Sequence, residues 1–243
     1  MTDPAPQPTV VIVHGAWTDA SSFAGVQRLL SQEGYTVLEF ANPLRSLAGD
    51  ADYLAAFLRT RTSGPVVLVG HSYGGAVIGA AGLAVPDVRA LVYVNAFVPA
   101  QGESLLDLLS SAGPVDPAQL FDMAPYPGAP EGDVDLYIQR GPFEPAFATG
   151  LSDELQTEFY ARQRPITFAA VGAPAGPGQA WERLPSWYVA GRDDGSIPLD
   201  LQVRMAVRAG AAVTELQAGH LSMVSHPREV ADVIEAAARG TGQ

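Results

Sequence analysis

The chain has 243 residues, 47% of them hydrophobic and 16% charged, which suits one large core and argues against a disordered chain. Its formal net charge of −12 repels nucleic acid phosphates and anionic membrane surfaces, so neither is an expected partner. All 14 cationic residues are arginine and cysteine is absent, which excludes a Schiff-base or phosphate-loop lysine, pyridoxal phosphate chemistry, disulfides, zinc–thiolate sites and a cysteine nucleophile.

The first nine residues are polar and proline-rich and lack the charged-then-apolar pattern of a signal peptide. No apolar run approaches the ~20 residues that span a bilayer, so a soluble cytoplasmic protein is the expectation. Residues 10–13 (Val-Val-Ile-Val) form a continuous β-branched run, the pattern of a strand buried on both faces in a parallel sheet. A helix capped by Ser21 or Ser22 is predicted to run to about Glu33, with Gly34 as its stop. A second strand over 36–40, a helix over 48–61, a third strand over 66–69, a small-residue helix over 72–84 and a fourth strand over 90–94 follow. Strand–helix alternation of this kind implies a parallel sheet with right-handed crossovers and helices on both faces.

Between residues 97 and 181 the alternation stops. Proline and glycine cluster, as in Ala124-Pro125-Tyr126-Pro127-Gly128, and only two helical pieces stand out, near 103–111 and 153–162. An interruption this long is expected to be functional, a cap or lid over the site. Alternation resumes with a strand over 186–189, a helix over 199–209, a strand over 212–216 and a closing helix over 227–239. The expected organisation is one α/β core (1–96 and 182–243) carrying a cap insertion (97–181).

Gly70-His71-Ser72-Tyr73-Gly74 follows a buried strand and opens a helix. In a G-x-S-x-G turn of this kind the serine backbone is forced into a strained conformation, and the glycines let strand and helix approach. The serine oxygen then stands above the sheet, with a helix N-terminus below it to favour developing negative charge. Ser72 is therefore the expected nucleophile.

Its partners should follow in the chain order acid, then histidine. Of the four histidines, His14 and His71 precede any suitable acid. His220 lies just past the sixth strand, where ligand chemistry gathers in open α/β sheets; His226 precedes Pro227 at a helix start. His220 is thus the expected base. Asp193 and Asp194 both follow the fifth strand, and spacing alone does not separate them.

With these motifs in place the chain resembles the α/β-hydrolase superfamily over nearly its whole length. It is most similar to small esterase-like members with a His-Gly-Ala-Trp start, including bacterial hydrolases and the plant esterase/hydroxynitrile lyase group. The matching pieces are His14-Gly15-Ala16-Trp17, Gly70 through Gly75, Gly191 through Pro198, and Gly219-His220. The resemblance implies that Asp194 is the acid and that the backbone N–H groups of Ala16 and Tyr73 form the oxyanion hole. It implies that His14 holds the oxyanion loop and that His71 is a packed neighbour of the nucleophile. It also implies six main parallel strands, since the antiparallel strands that open many members have no counterpart here.

The chemistry this implies is two-step ester hydrolysis through an acyl-enzyme on Ser72, with no metal and no cofactor. A serine in place of aspartate at the turn argues against haloalkane dehalogenase and most epoxide hydrolase chemistry. Leu221 stands where plant hydroxynitrile lyases carry lysine, which argues against cyanohydrin cleavage. A ligand-binding receptor on the same fold, and cofactor-free acyl transfer or haloperoxidation, are the competing readings. Trp17, Tyr73, Phe97, Leu221 and Met223 flank the proposed catalytic loops and are expected to line an apolar pocket for a small, uncharged ester. Asn95, at the end of the fourth strand, either reaches that pocket or caps a turn.

Overall fold

The β-branched run near the N-terminus forms β1 (Thr9–Val13), the first of nine strands in the computed structural model, which describes residues 7–114 and 116–241. β1 lies between β2 (Val37–Phe40) and β3 (Val66–His71). β4 (Val88–Val94), β8 (Ser186–Gly191) and β9 (Ala212–Leu216) complete a six-stranded sheet of order β2-β1-β3-β4-β8-β9 in which every neighbouring pair is parallel.

Alternation along each central strand divides the core into two layers. Val11 and Val13 of β1, Val66 and Leu68 of β3, and Leu91 and Tyr93 of β4 face one side. There they pack on α2 (Leu47–Arg61), α3 (Tyr73–Ala81) and α6 (Leu199–Arg208). Val10 and Ile12, Val67 and Val69, and Ala90 and Val92 face the other side, against α1 (Ala24–Gln32) and α7 (Pro227–Gly240). Both faces are covered, which is why these strands read as unbroken apolar runs rather than as alternating ones.

Local signals set the helix ends. Asp19, not Ser21 or Ser22, caps the entry to α1. Its carboxylate accepts the Ser21 N–H at 2.8 Å and starts a short turn over Ala20–Phe23 that leads into the helix. Gly34 has φ +87°, the left-handed conformation that ends the helix at lowest steric cost.

The insertion between β4 and β8 contains α4 (Leu105–Ala112), started by a Ser104/Asp107 capping box, and α5 (Asp153–Ala161). It also holds a three-stranded antiparallel sheet of β5 (Phe121–Ala124), β6 (Asp135–Ile138) and β7 (Ile166–Thr167) that sequence patterning had not predicted. Strands of four, four and two residues among prolines and glycines carry too short a pattern to read.

This sheet is fixed to the core. Trp17 donates its backbone N–H to the Arg164 carbonyl at 2.9 Å and its indole N–H to the Leu136 carbonyl at 2.8 Å. Arg45 pairs with Asp135, and Thr167 N–H reaches the Leu44 carbonyl at 3.1 Å. A π-helical turn over Phe143–Phe147 lies against the loops after β8 and β9. A Cβ on Gly195 would sit 2.1 Å from the Pro145 carbonyl oxygen, and one on Gly219 would sit 2.3 Å from that of Thr149.

The join between α3 and β1 is equally tight, because a Cβ on Gly74 would sit 2.2 Å from the Val13 carbonyl oxygen. Gly74→Ala should destabilise the protein by ~2 kcal/mol or more, since backbone on both sides has to move. Urea titration checks this, and an unchanged midpoint would refute it.

Candidate active site

β3 ends at His71 and α3 begins at Tyr73, so the whole reversal falls on Ser72, whose φ of 52° and ψ of −122° are sparsely populated for a residue with a Cβ. The neighbours enforce this conformation. Ser72 N–H donates to the Val94 carbonyl at 3.3 Å, and the Ser72 carbonyl accepts the N–H groups of Gly75 at 3.0 Å and Phe97 at 3.1 Å. A Cβ on Gly75 would meet the Phe97 carbonyl at 2.5 Å, and one on Gly15 would meet Ser72 Cβ at 2.7 Å. The loop after β1 therefore passes directly over the serine.

The Asp194 side chain is fully buried and its carboxylate accepts five hydrogen bonds. Oδ1 takes the N–H groups of Ser196 at 2.8 Å and Ile197 at 2.9 Å. Oδ2 takes His220 Nδ1 at 2.9 Å, Asn95 Nδ2 at 3.0 Å and Gln202 Nε2 at 3.2 Å. Asp193 is exposed and its carboxylate accepts from the Gln217 side chain at 2.6 Å, so the two aspartates that spacing could not separate differ in burial and in partners.

His220 is buried and held on three sides. Asp194 fixes its Nδ1–H, while His71 and Phe147 stand at ring-centroid distances of 4.8 Å and 5.3 Å. Nε2 is left without a partner among the described residues. Ser72 and His220 line the same cavity of about 290 Å³. His226 pairs with the Ser225 hydroxyl at 2.8 Å at the start of α7 and takes no part in that wall.

Ala16, Tyr73, Trp17 and Phe97 line the cavity as well. Tyr73 opens α3, where the first N–H groups of a helix have no intrahelical acceptor. Its phenol is turned away and bonded to Asp50 at 2.8 Å. Trp17 stacks on Phe121 at 5.3 Å and meets Phe147 edge-on at 5.8 Å. Three expected pocket residues do not reach the cavity. Leu221 and Met223 are swallowed by the core layer under α1 and α7, because the chain turns inward straight after His220. Asn95 lies completely buried beneath Asp194.

Most of the remaining wall comes from the insertion, including Leu105, Leu106 and Leu109 of α4 with Phe121, Leu136 and Ile138 of the small sheet, and the loop after β8 adds Gly195, Ser196 and Pro198. Sequence reasoning had not assigned these residues, although the spacing of the three leucines marks an apolar helix face. No charged side chain lines the cavity among the described residues. The indole N–H of Trp17, the phenol of Tyr73 and the hydroxyl of Ser196 are each bonded elsewhere. His220 Nε2 is thus a buried polar atom of the wall without a partner among the described residues, and Ser72 lies on the same wall.

Behind the wall, His14 accepts the Asn42 N–H on Nε2 at 3.1 Å, so its Nδ1 carries the hydrogen and donates to the Gly15 carbonyl at 2.8 Å. This bond fixes the loop that carries Ala16. Burial pushes the His14 pKa down to about 4 and holds that of His71 well below the ordinary histidine value.

A family model described as "Alpha/beta hydrolase family" matches residues 10–233. The chain is 34% identical over 126 residues to a carbendazim hydrolyzing esterase of Nocardioides sp. (strain SG-4G), a match that spans 46% of this chain and 51% of that relative. Among solved structures it superimposes on polyneuridine aldehyde esterase with a TM-score of 0.79 at 23% identity, covering 95% of this chain and 99% of that one. It superimposes on a pyrethroid hydrolase from Sphingobium faniae JZ-2 with a TM-score of 0.74 at 21% identity, covering 96% and 97%. At these identities the two structures show likeness of fold.

Two histidines buried in the neutral form tie stability to pH. Between the unfolded value of 6.5 and the folded His14 value of about 4, the unfolded chain binds the proton and the folded one does not. This contribution is complete above the unfolded value and is lost as pH falls, at up to ~1.4 kcal/mol per pH unit for each histidine. His14→Gln should therefore be less stable at neutral pH, and its urea midpoint should fall less steeply on acidification than that of the wild type. Parallel pH dependences for the two proteins would refute the assignment.

Proposed function

This chain belongs to the alpha/beta hydrolase family, and we propose that it is a carboxylesterase-type serine hydrolase acting on small, uncharged esters. The observation that carries the reading is His220. Its Nδ1 is bonded to buried Asp194, and its Nε2 is unpartnered on the same cavity wall as the strained Ser72.

His220 takes the Ser72 proton as Oγ attacks the ester carbonyl, and Asp194 holds the imidazole tautomer and stabilises the imidazolium. The N–H groups of Ala16 and Tyr73 hold the negative oxygen of the tetrahedral intermediate. His220 then gives the proton to the leaving alcohol. Water, deprotonated by the same imidazole, releases the acid and restores Ser72. The insertion serves as a cap that keeps bulk water from the reacting atoms.

The charge-free wall supports a neutral substrate, because an ionised group bound there would lose its hydration with nothing to replace it. A cavity of about 290 Å³ favours short acyl groups. Relatives that are named esterases point to the same class of reaction.

Steady-state turnover of aryl esters from acetyl to dodecanoyl tests the reading. Activity should be highest at the short end, and a fluorophosphonate should label the chain once, at Ser72. Ser72→Ala should lower kcat by up to ~10⁶ and Asp194→Asn by about 10⁴, with Asp193→Asn close to wild type. Turnover that survives Ser72→Ala would sink the proposal. Tight binding of a small ligand with no ester turnover would make the protein a receptor.

A further inference from the structure

Asn95 follows β4 with φ at +45°, a left-handed conformation that asparagine and aspartate tolerate better than other residues with a side chain. It is completely buried. Nδ2 donates to Asp194 Oδ2 at 3.0 Å and to the Gly219 carbonyl at 3.3 Å, while Oδ1 accepts from the Ser222 hydroxyl. These neighbours fix the orientation of the amide, since both groups facing Nδ2 are acceptors and the group facing Oδ1 is a hydroxyl. One side chain thus bonds to the acid and, on both sides of His220, to the loop that carries the base. Gly191 belongs to the same arrangement, because a Cβ there would sit 2.4 Å from Nδ2.

The other donors to Asp194 do less. Ser196 and Ile197 bond through their backbones within the acid loop. Gln202 bonds to Asp194, Gly191 and Ile197, and to nothing in the His220 loop.

We infer that Asn95 is a positioning residue that sets Asp194 and His220 relative to one another, and that it does so only as an amide. One end must donate to a carboxylate while the other accepts from a hydroxyl. The inference rests on the reading of Ser72, Asp194 and His220 as the reacting groups.

A carboxyl at position 95 has the same shape and a different consequence. Ionised, it has no hydrogen for Asp194 and places a second negative charge against the first. Burial and the Asp194 charge both favour its protonated form, which donates to Asp194 as the amide does. As pH rises that proton passes to water and the two carboxylates repel. The titratable groups around this position are Asp194 after β8, His220 after β9, His71 at the end of β3, and the phenol of Tyr188, which donates to the Ala96 carbonyl.

The test is aryl ester turnover from about pH 5 to 10 for the wild type, Ser72→Ala, Asn95→Gly and Asn95→Asp. Asn95→Gly keeps the left-handed backbone and removes the amide. Its kcat should fall about tenfold to a hundredfold with KM little changed, the loss expected for a hydrogen bond to a charged group. Asn95→Asp should exceed Asn95→Gly at low pH and then lose activity along an alkaline limb that the wild type lacks. An Asn95→Gly enzyme within about threefold of the wild type, or an Asn95→Asp profile of wild-type shape, would overturn the inference. If either variant fails to fold by circular dichroism, Ser222→Ala decides. It removes only the hydroxyl behind Oδ1, and an unchanged kcat overturns the inference while a several-fold loss upholds it. A wild type without Ser72-dependent turnover would instead overturn the functional reading itself, and that result needs no variant at position 95.

Discussion

The site depends on a crowding constraint at one residue. Ser72 must reverse the chain between a fully buried strand and a helix buried at every position but Ala80, and it does so with φ at 52°. Such a conformation costs of order 1–3 kcal/mol and persists only where its surroundings permit no other. Gly15, Gly74 and Gly75 supply those surroundings, since each lies where a methyl group would strike the neighbouring chain. The strain is carried by tight packing rather than by any single bond. The same packing brings the loop after β1 over the serine.

Much of this was legible in the sequence because it depends on short-range patterns. Residues 10–13 and 66–69 read as buried strands since both of their faces meet helices. The glycines around Ser72 announce the turn, and His220, placed after the last strand, lines the same cavity as Ser72. What escaped depends on contacts distant in the chain. Asp193 and Asp194 differ only in which of them turns under the sheet edge, and one is exposed while the other is enclosed. Leu221 and Met223 look like pocket residues from their place beside His220, yet the backbone turns them into the core. The small antiparallel sheet pairs segments more than ten residues apart whose runs are too short to carry a period.

The four histidines show how surroundings assign different work to one side chain. His14 has both ring nitrogens bonded and serves as a strut for the loop after β1. His71 donates Nε2–H to the His220 carbonyl at 3.1 Å, and its other nitrogen lies against Gly15 with no partner among the described residues. His226 sits at a helix start beside Ser225. His220 alone of the four lines the cavity.

The contacts of Gly195 and Gly219 bear on how a protein of this shape can change. The backbone of residues 143–149 rests on both loops with no space for even one added carbon. A foreign insertion grafted between β4 and β8 would have to bring two carbonyl groups to the same places, or the loops bearing Asp194 and His220 would lose their backing. The three leucines of α4 face the cavity without that obligation. The cavity wall thus has a free region and a frozen one within a single insertion, since the leucines of α4 line the cavity alone while Ala146 lines it from within the segment that backs both loops.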